Sequence, residues 1–327
     1  MLIRHFATMA IATIFAIAIS GPVTTYAEDT KLTIMVFQGL QNLPLLAAQS
    51  KGFFAKRSLS IDIKIAPSSN ELRDGLAEGR YQIVHTAVDN ALAMADIAKK
   101  DIAVVIGGDN GFNHLYVQPD INTYADLRGK TVLVDAPDTA YALQLYEMMR
   151  LNGLNKGDYT VNPVGATFKR LDSMLTSKDG KAAILNPPFS IRAEKSGLKD
   201  MGSAVKAIGP YQATAGFVMR EWGNAHADTL VKYLQAYVEG LRWGLNPVNK
   251  AEAIKLYVDA LKVPQDVAEA TYAKAVDPVE GLAKDAKFDM EGFKNVLKLR
   301  AAFADNIPNT PEKYLDLSYY QKAVAGL

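Results

Sequence analysis

Short apolar runs rich in β-branched residues alternate along the chain with longer segments whose apolar residues recur at helical spacing. In the first part, the pattern predicts strands and helices in turn: strand Leu32–Phe37, helix Asn42–Ser50, strand Ile61–Ala66, helix Ser69–Ala77, strand Gln82–Val84, helix Asn90–Lys99 and strand Asp101–Ile106. Ser68 and Glu71 form the S-x-x-E pattern of a capped helix start. Such alternation predicts parallel sheets covered by helices on both faces.

The same alternation starts again after a glycine-rich stretch at Gly107–Gly111. The predicted elements are then strand Thr131–Val134, helix Thr139–Leu151, strand Tyr159–Val164, helix Phe168–Thr176 and strand Ala182–Leu185. Two more strand-like runs, Val205–Ile208 and Thr214–Met219, flank Gly209 and Pro210, and the chain is helical from Ala227 onward. We therefore predict an α/β protein of two lobes joined by two crossovers. Residues 28–112 and 214–327 would form lobe one, with the C-terminal helices, and residues 113–213 would form lobe two.

The N-terminus has the pattern of a secretory signal. Arg4 and His5 precede a largely apolar stretch of 14 residues, Phe6–Ile19, which is short of the roughly 20 that span a bilayer. Small residues at positions 25 and 27 predict cleavage near Ala27, so residues 1–27 are assigned to a signal peptide. Because the chain has no Cys that could carry a lipid, we expect a soluble periplasmic protein.

Composition and motifs exclude several classes of function. The chain has 36 Lys and Arg, 35 Asp and Glu, and no Cys. No cysteine-ligated metal, iron–sulfur cluster or thiol chemistry is therefore expected, and the balanced charge does not favour nucleic acid as a partner. Neither G-x-S-x-G nor H-E-x-x-H occurs. We predict a non-enzyme without cofactor or metal.

Polar and small residues follow the predicted strands, at the edge where open α/β sheets bind ligands. Several of them would also serve as helix caps, and capping alone would account for these. If the loops meet in one cleft between the lobes, the predicted ligand-binding residues are Gln38, Asn42, Ser69, Asp89, Asp109, Asn113, Asp138, Thr139, Asn186 and Phe189. Phe37, Tyr141 and Phe189 could add an aromatic wall.

Four segments together resemble one family. They are N-L-P-L-L-A-A-Q-S-K-G-F-F-A-K-R-S-L at 42–59, Y-A-D-L-R-G-K-T-V-L-V at 124–134, A-P-D-T-A-Y-A-L at 136–143 and A-A-I-L-N-P-P-F at 182–189. This set resembles the nitrate/sulfonate/taurine-type periplasmic substrate-binding proteins of ABC transporters and their thiamin-pyrimidine-binding relatives. The resemblance implies a type II-like two-lobe fold, hinge closure over a small organic molecule, and delivery by a monomer to an inner-membrane ABC permease.

The ligand's charge is predicted from departures from that family. Pro137, Asp138 and Thr139 stand where the family has a turn rich in hydroxyls, and Asp89 and Asp109 add two more carboxylates. These acids favour a cationic amine, an aminopyrimidine or a neutral hydrogen-bond donor over an anion. The alternatives are an alkylsulfonate, taurine or nitrate binder and a solute receptor for a sensor kinase. A pyrimidine-precursor synthase is less favoured, because the chain has an export signal and lacks the Cys-rich motif of those enzymes.

Overall fold

The computed structural model describes residues 29–304 and 308–327. The predicted signal peptide, 1–27, lies outside these residues. Within them, the strands are β1 (Thr30–Val36), β2 (Leu59–Ile65), β3 (Ile83–Ala87), β4 (Ile102–Ile106), β5 (His114–Val117), β6 (Thr131–Val134), β7 (Thr160–Pro163), β8 (Gly180–Leu185), β9 (Lys199–Ser203) and β10 (Thr214–Met219).

The helices of the same residues alternate with these strands at first and then follow one another to the end of the chain. They are α1 (Leu43–Ser50), α2 (Ser69–Ala77), α3 (Val88–Asp96), α4 (Ala140–Leu151), α5 (Thr167–Thr176), α6 (Phe189–Lys195), α7 (Ala204–Ile208), α8 (Arg220–Ala225), α9 (Ala227–Leu245), α10 (Lys250–Leu261), α11 (Gln265–Ala275), α12 (Met290–Phe303) and α13 (Ser318–Ala325). No helix in the described part of the chain combines the length and apolar character needed to cross a membrane.

The strands form two separate five-stranded sheets. One sheet has the order β2-β1-β3-β10-β4 and the other the order β7-β6-β8-β5-β9. We call the first sheet and the helices packed on it lobe one, and the second sheet with its helices lobe two. The chain passes between them at residues 107–113 and 209–213, so the predicted two-lobe α/β fold is confirmed. The exact residue limits of the lobes stay a prediction.

Both sheets are mixed, whereas the sequence predicted parallel ones. β10 runs antiparallel to β3 and β4, and β5 runs antiparallel to β8 and β9. The reason is where each strand begins. Thr214 pairs with Ala87 at the end of β3, and His114 pairs with Leu185 at the end of β8. A strand that follows a crossover starts at the edge of its sheet that faces the other lobe. The neighbouring strand β3 or β8 ends at that edge, so the two strands run in opposite directions.

One predicted strand is wrong. The run Val205–Ile208 lies in the helix α7 and not in a strand. Ser203 stands at the N-cap of this helix, and its hydroxyl accepts a hydrogen bond from the N–H of Lys206 at 3.3 Å. A run of four apolar-rich residues fits either element by periodicity, and here the cap decides for the helix. β5 and β9 were not predicted, because β5 is only four residues long and β9 has the polar-rich sequence K-D-M-G-S.

The core of lobe one lies on both faces of its sheet. On one face, β1 packs against α1 and the long helix α9 in a cluster that includes Ile34, Leu43 and Tyr237. On the other face, Val84 packs with α2, α3 and α12. Much of the helical tail thus packs on the sheet of lobe one. Phe303 at the end of α12 also packs against the core of lobe two, so this helix contacts both lobes.

Candidate functional site

Two small adjoining cavities lie where the strand ends of the two lobes face each other. They share the lining residues Phe37, Thr86, Ala87 and Tyr141. The first cavity is further lined by Gln41, Asp109, Phe112, Asn113, Ala140, Ala213 and Thr214. The second is further lined by Ser69, Asn90, Asp135, Thr139, Ala166, Thr167 and Arg170. Both lobes contribute to each cavity, so the two together form the candidate solute site.

Asp109 is the charged residue of the first cavity. It lies in the crossover after β4 and is fully buried. Its Oδ1 accepts a hydrogen bond from the N–H of Gly111 at 3.0 Å, but its Oδ2 has no hydrogen-bond partner among the described residues. Burial raises the pKa of Asp109 to about 6, although hydrogen-bonding groups of Thr214 and Gly111 act in the opposite direction. The carboxylate is therefore ionised at neutral pH, and one of its buried oxygens is left without a hydrogen bond of good geometry.

Gln41 and Asn113 line the same cavity and are also buried. The Nε2 of Gln41 donates to the carbonyl oxygen of Phe37 at 3.2 Å, which fixes the amide orientation, since a carbonyl only accepts. The Oε1 of Gln41 is left without a partner. The Nδ2 of Asn113 donates to the Oε1 of Gln144 at 2.9 Å, and the Oδ1 of Asn113 is unpartnered as well.

The first cavity thus contains three buried oxygen acceptors that no described group satisfies. Buried polar atoms are nearly always hydrogen-bonded, and an unsatisfied one costs roughly 1–3 kcal/mol. Three such atoms at one cavity are best explained by a bound molecule or waters that supply N–H or O–H groups. The cavity therefore favours a molecule with several hydrogen-bond donors.

The second cavity contains one cation, Arg170, whose side chain is already held. This buried guanidinium donates Nη1 to the carbonyl oxygen of Gly165 at 2.7 Å and Nη2 to the Oγ1 of Thr167 at 2.9 Å, and it also contacts the carbonyl oxygen of Ile184. It lies 4.6 Å from the centre of the Tyr141 ring. Burial lowers its pKa, and nearby Asp135 opposes that shift. Arg170 therefore serves mainly to fix the wall of the cavity.

Asp135 joins the two lobes at the second cavity. Its Oδ2 accepts a hydrogen bond from the hydroxyl of Ser69 in lobe one at 2.9 Å, and its Oδ1 accepts one from the hydroxyl of Thr139. With Asp109 ionised, the charged residues that line the two cavities are two carboxylates and Arg170. The lining therefore carries a formal charge of −1.

Four of the ten predicted site residues line the cavities, namely Ser69, Asp109, Asn113 and Thr139. Three others line neither cavity and are hydrogen-bonded within their own lobe. The Nδ2 of Asn42 donates to the carbonyl oxygen of Phe37, and Asn186 accepts a long hydrogen bond of 3.4 Å from the hydroxyl of Tyr141. Gln38 contacts the carbonyl oxygen of Leu261 at 3.4 Å. Phe189 is packed in the core of lobe two.

Asp89 and Asp138 line neither cavity. Asp89 is fully buried, accepts a hydrogen bond from the Tyr211 hydroxyl at 2.7 Å, and lies 3.5 Å from the guanidinium of Arg300. Burial raises the pKa of Asp89, and the charge of Arg300 counteracts this. Asp138 forms an ion pair with Arg73 at 2.8 Å. Both carboxylates are therefore satisfied within the protein, and the predicted acidity of the cavity rests on Asp109 and Asp135.

Sequence reasoning did not single out Gln41, Asn90 or Arg170. Gln41 stands in a loop between a strand and a helix, so its position was a usable signal. Asn90 and Arg170 lie inside helices, and only their distance from the helix start places them at the cavity. The Nδ2 of Asn90 donates to the Oγ1 of Thr86 at 3.1 Å. The Oδ1 of Asn90 has no partner among the described residues, so the second cavity also has a lining residue with an unpartnered acceptor.

Comparison with known proteins identifies relatives over about two thirds of the chain. The sequence profile of the NMT1/THI5 like family matches residues 40–249. A protein of Brachyspira hyodysenteriae (strain ATCC 49526 / WA1), named as an ABC transporter periplasmic binding protein, is 26% identical over 228 residues. That alignment covers 65% of this chain and 64% of the relative, so it spans less than two thirds of the relative's length.

Solved structures share the fold at lower identity. A structure from Bordetella bronchiseptica RB50 has a TM-score of 0.78 and 22% identity, and the superposition covers 91% of this chain and 98% of the other. The alkanesulfonate-binding protein SsuA from Xanthomonas axonopodis pv. citri, bound to MOPS, has a TM-score of 0.72 and 17% identity, with 90% and 98% covered. At these identities the likeness establishes the two-lobe fold and leaves the ligand open.

Proposed function

Because this chain belongs to the NMT1/THI5 like family, we propose that it is the solute-binding component of an ABC importer. The relative from Brachyspira hyodysenteriae and the alkanesulfonate-binding protein from Xanthomonas axonopodis support this role. The proposal includes the predicted export to the periplasm with cleavage near Ala27, function as a monomer, and delivery of the solute to an inner-membrane permease. Binding and release, without a chemical step, would be the whole activity.

Capture would occur by closure of the two lobes over the solute. Gln41 and Asp109 offer acceptors from lobe one and its crossover, while Thr139 and Tyr141 approach from lobe two. A solute that contacts both sets binds the closed arrangement more tightly than the open one, so it shifts the population toward closure. The permease would then recognise the closed form.

The solute itself is proposed to carry an amino group or another cationic, donor-rich nitrogen. One observation carries this: the unpartnered Oδ2 of Asp109 lies at a cavity lined also by the unpartnered oxygens of Gln41 and Asn113. A protonated amine has three N–H donors and a positive charge, so it would satisfy these oxygens and offset the formal charge of −1. Phe37 and Tyr141 line both cavities, but the two together have room for only a few water molecules, so an aromatic or pyrimidine-like solute would require the lobes to move apart.

An alkylsulfonate, taurine or nitrate is the alternative ligand. The observation in its favour is that α4 and α5 begin at the second cavity, where Tyr141 and Thr167 belong to first helical turns whose N–H groups favour anions. Against it, the guanidinium of Arg170 donates to carbonyl oxygens of the protein itself. Taurine, which has both an amine and a sulfonate, would use both cavities. A receptor that presents its closed form to a sensor kinase would bind its solute in the same way.

Pyrimidine-precursor synthesis is not supported by the placement of the histidines. The Nε2 of His85 lies 2.9 Å from the hydroxyl of Tyr233, and burial lowers the pKa of His85 to about 3. His114 lies between two carboxylates at the crossover, and His226 contacts the carbonyl oxygen of Trp222. None of the three lines either cavity.

A thermal-shift panel on the exported chain, residues 28–327, tests the proposal. The panel pairs compounds that differ in charge and share a body: propylamine with propanesulfonate, and benzylamine with benzenesulfonate. Taurine, nitrate and 4-aminopyrimidine complete it. A ligand at 100 times its dissociation constant stabilises the folded state by about 2.7 kcal/mol, which is a shift of a few degrees.

We expect an amine or the aminopyrimidine to raise the melting temperature while the sulfonate of the same body does not. A shift with propanesulfonate or nitrate alone would establish the anionic alternative. If taurine shifts the melting temperature and neither partner compound does, the site requires both charges. If no compound shifts the melting temperature, neither the smaller propyl amine nor the larger benzyl amine binds, and this result would argue against an amine site.

A further inference from the structure

Outside the two cavities, lobe two is bound to lobe one at Asp138. This residue precedes α4 of lobe two. Arg73 of α2 donates Nη1 to the Oδ2 of Asp138 at 2.8 Å, and Arg300 of α12 donates Nη1 to the backbone carbonyl oxygen of Asp138 at 2.9 Å. Both helices pack against the sheet of lobe one through apolar residues. One residue of lobe two is therefore held by two separate helices of lobe one.

The contact with Arg300 links closure to the burial of a charge. The side chains of Arg300 and Asp89 are both fully buried and lie 3.5 Å apart. The Nε and Nη2 of Arg300 have no partner in the described part of the chain, so the Asp138 carbonyl is a principal acceptor for this guanidinium. A buried charge with incomplete hydrogen bonding is costly. When the lobes separate, that carbonyl leaves, and water must replace it.

The segment held in this way also carries the lobe-two wall of the site. Asp135, three residues before Asp138, accepts the hydroxyl of Ser69, and Thr139 directly after Asp138 lines the second cavity. Asp138 itself, like Arg73 and Arg300, lines neither cavity. The two arginines thus act on the position of residues 135–139 and have no lining contact with a bound molecule.

We infer that Arg73 is a positioning residue that stabilises the closed arrangement through its ion pair with Asp138, a residue whose backbone Arg300 also holds, and that this pair thereby sets how tightly a solute is retained. The inference rests on the proposed function only in assuming that a solute binds. The equilibrium between open and closed lobes exists without a solute. Because apparent affinity scales with the population of the binding-competent state, weakening these contacts lowers affinity for every solute by the same factor.

The experiment measures closure directly and uses no ligand. The chain has no native Cys, so two introduced cysteines can be spin-labelled specifically. Lys64→Cys in β2 and Asn162→Cys in β7 place labels on exposed residues on either side of the cleft, close to where the carbonyl oxygen of Pro67 approaches Gly165. Pulsed dipolar spectroscopy then gives the distribution of distances between the lobes.

Arg73→Gln and Asp138→Asn are the test variants, since both side chains are partly exposed and their loss should not unfold the protein. We expect the population at the short distance to fall at least about fivefold relative to the open one, as for loss of a charged hydrogen bond. The double variant should show little further change, because both substitutions remove the same contact. Melting temperatures should stay close to that of the parent.

The control is Asp266→Asn, which removes another ion pair between the lobes. Lys195 of α6 and Asp266 of α11 form this pair with side chains 48% and 62% exposed, so it should contribute little. Unchanged distances in both test variants would overturn the inference, as would a parent protein with no short-distance population. Neither result depends on finding a solute, so failure of the amine proposal and failure of this inference are distinguishable.

Discussion

Asp109 and Gln41 lie 68 positions apart in the sequence and present one unpartnered oxygen each at the same cavity. The Oδ1 of Asp109 accepts a hydrogen bond from the N–H of Gly111, and the Nε2 of Gln41 donates one to the carbonyl oxygen of Phe37. Each side chain is held by one polar atom, and its other oxygen has no partner among the described residues. Such an arrangement is prepared before a molecule arrives. It is the physical basis for proposing a donor-rich solute.

Removing the charge of Asp109 should weaken binding of an amine. We expect Asp109→Asn to lower the affinity for any amine that the panel identifies by about tenfold or more, because a charged hydrogen bond contributes roughly 1.5–3 kcal/mol. Isothermal titration calorimetry at pH 7.5 measures this. Asp120→Asn, which removes an exposed carboxylate paired with Lys181 in lobe two, is the control and should bind as the parent does. Equal affinity in both variants would remove Asp109 from the site.

The same substitution should make the ligand-free protein more stable at neutral pH. Burial raises the pKa of Asp109 from 3.8 to about 6, so the folded state holds this proton more tightly than the unfolded state does. The resulting stabilisation is complete below about pH 4 and is lost as the pH rises through about 6. The amide that replaces the carboxyl group does not ionise, so the free energy of unfolding of the Asp109→Asn variant should exceed that of the parent at pH 7.5 by about 1–3 kcal/mol. Urea denaturation from pH 4 to 7.5 tests this.

Binding of an amine should follow the opposite pH dependence. The ionised form of Asp109 pairs with an ammonium, whereas the protonated form does not. We therefore expect the affinity of the parent protein for an amine to be constant above about pH 7 and to fall as the pH drops through about 6, where Asp109 takes up its proton. Calorimetric titrations at pH 5, 6 and 7.5 measure this change. An affinity that rises toward pH 5 would contradict it.

His114 should titrate above the ordinary range of histidine. Burial disfavours its charged form, but hydrogen bonds to Asp200 at 2.8 Å and Glu280 at 3.0 Å outweigh this and raise the pKa. Protonated His114 therefore stabilises the folded state fully below about pH 6.5, and this stabilisation is lost as the pH rises through the raised pKa. Proton NMR of the imidazole signals measures the pKa directly. A pKa at or below the ordinary histidine value of about 6.5 would show that burial dominates.

The close crossing of α1 and α9 should depend on one glycine. A Cβ added at Gly240 would lie 2.2 Å from the carbonyl oxygen of Pro44 and 2.8 Å from the N atom of Ala48, and backbone atoms cannot move aside locally. We expect Gly240→Ala to lower the free energy of unfolding by about 3 kcal/mol. Gly244→Ala in the same helix meets only the side chain of Leu43, which can rotate, and should cost less than about 1.5 kcal/mol. Chemical denaturation compares them.

The sequence predicted the fold well where periodicity decides the element. The strand ends and helix starts placed Ser69, Asp109, Asn113 and Thr139 at one edge, and the structure has all four at the cavities. Alternation works here because parallel strands bring the following loops to a single edge.

The prediction was weaker where partners are distant in the sequence. Asp89 has the position of a cleft residue, but Arg300 lies 211 positions further along the chain and binds it. No local pattern shows such pairing. Asn90 and Arg170 lie inside helices, where a polar residue is usually taken as part of a solvated face, so only the assembled lobes show that these side chains line the site.

The central claim is that the interlobe site takes a donor-rich, amino-bearing solute through Asp109. Native mass spectrometry of residues 28–327, incubated with a small-molecule extract of cells, tests this, because the retained mass identifies the solute. We expect one retained molecule per chain that contains an amino group, and we expect Asp109→Asn to lose it. Retention of a sulfonate or nitrate without any N–H group, or equal retention by the variant, would contradict it.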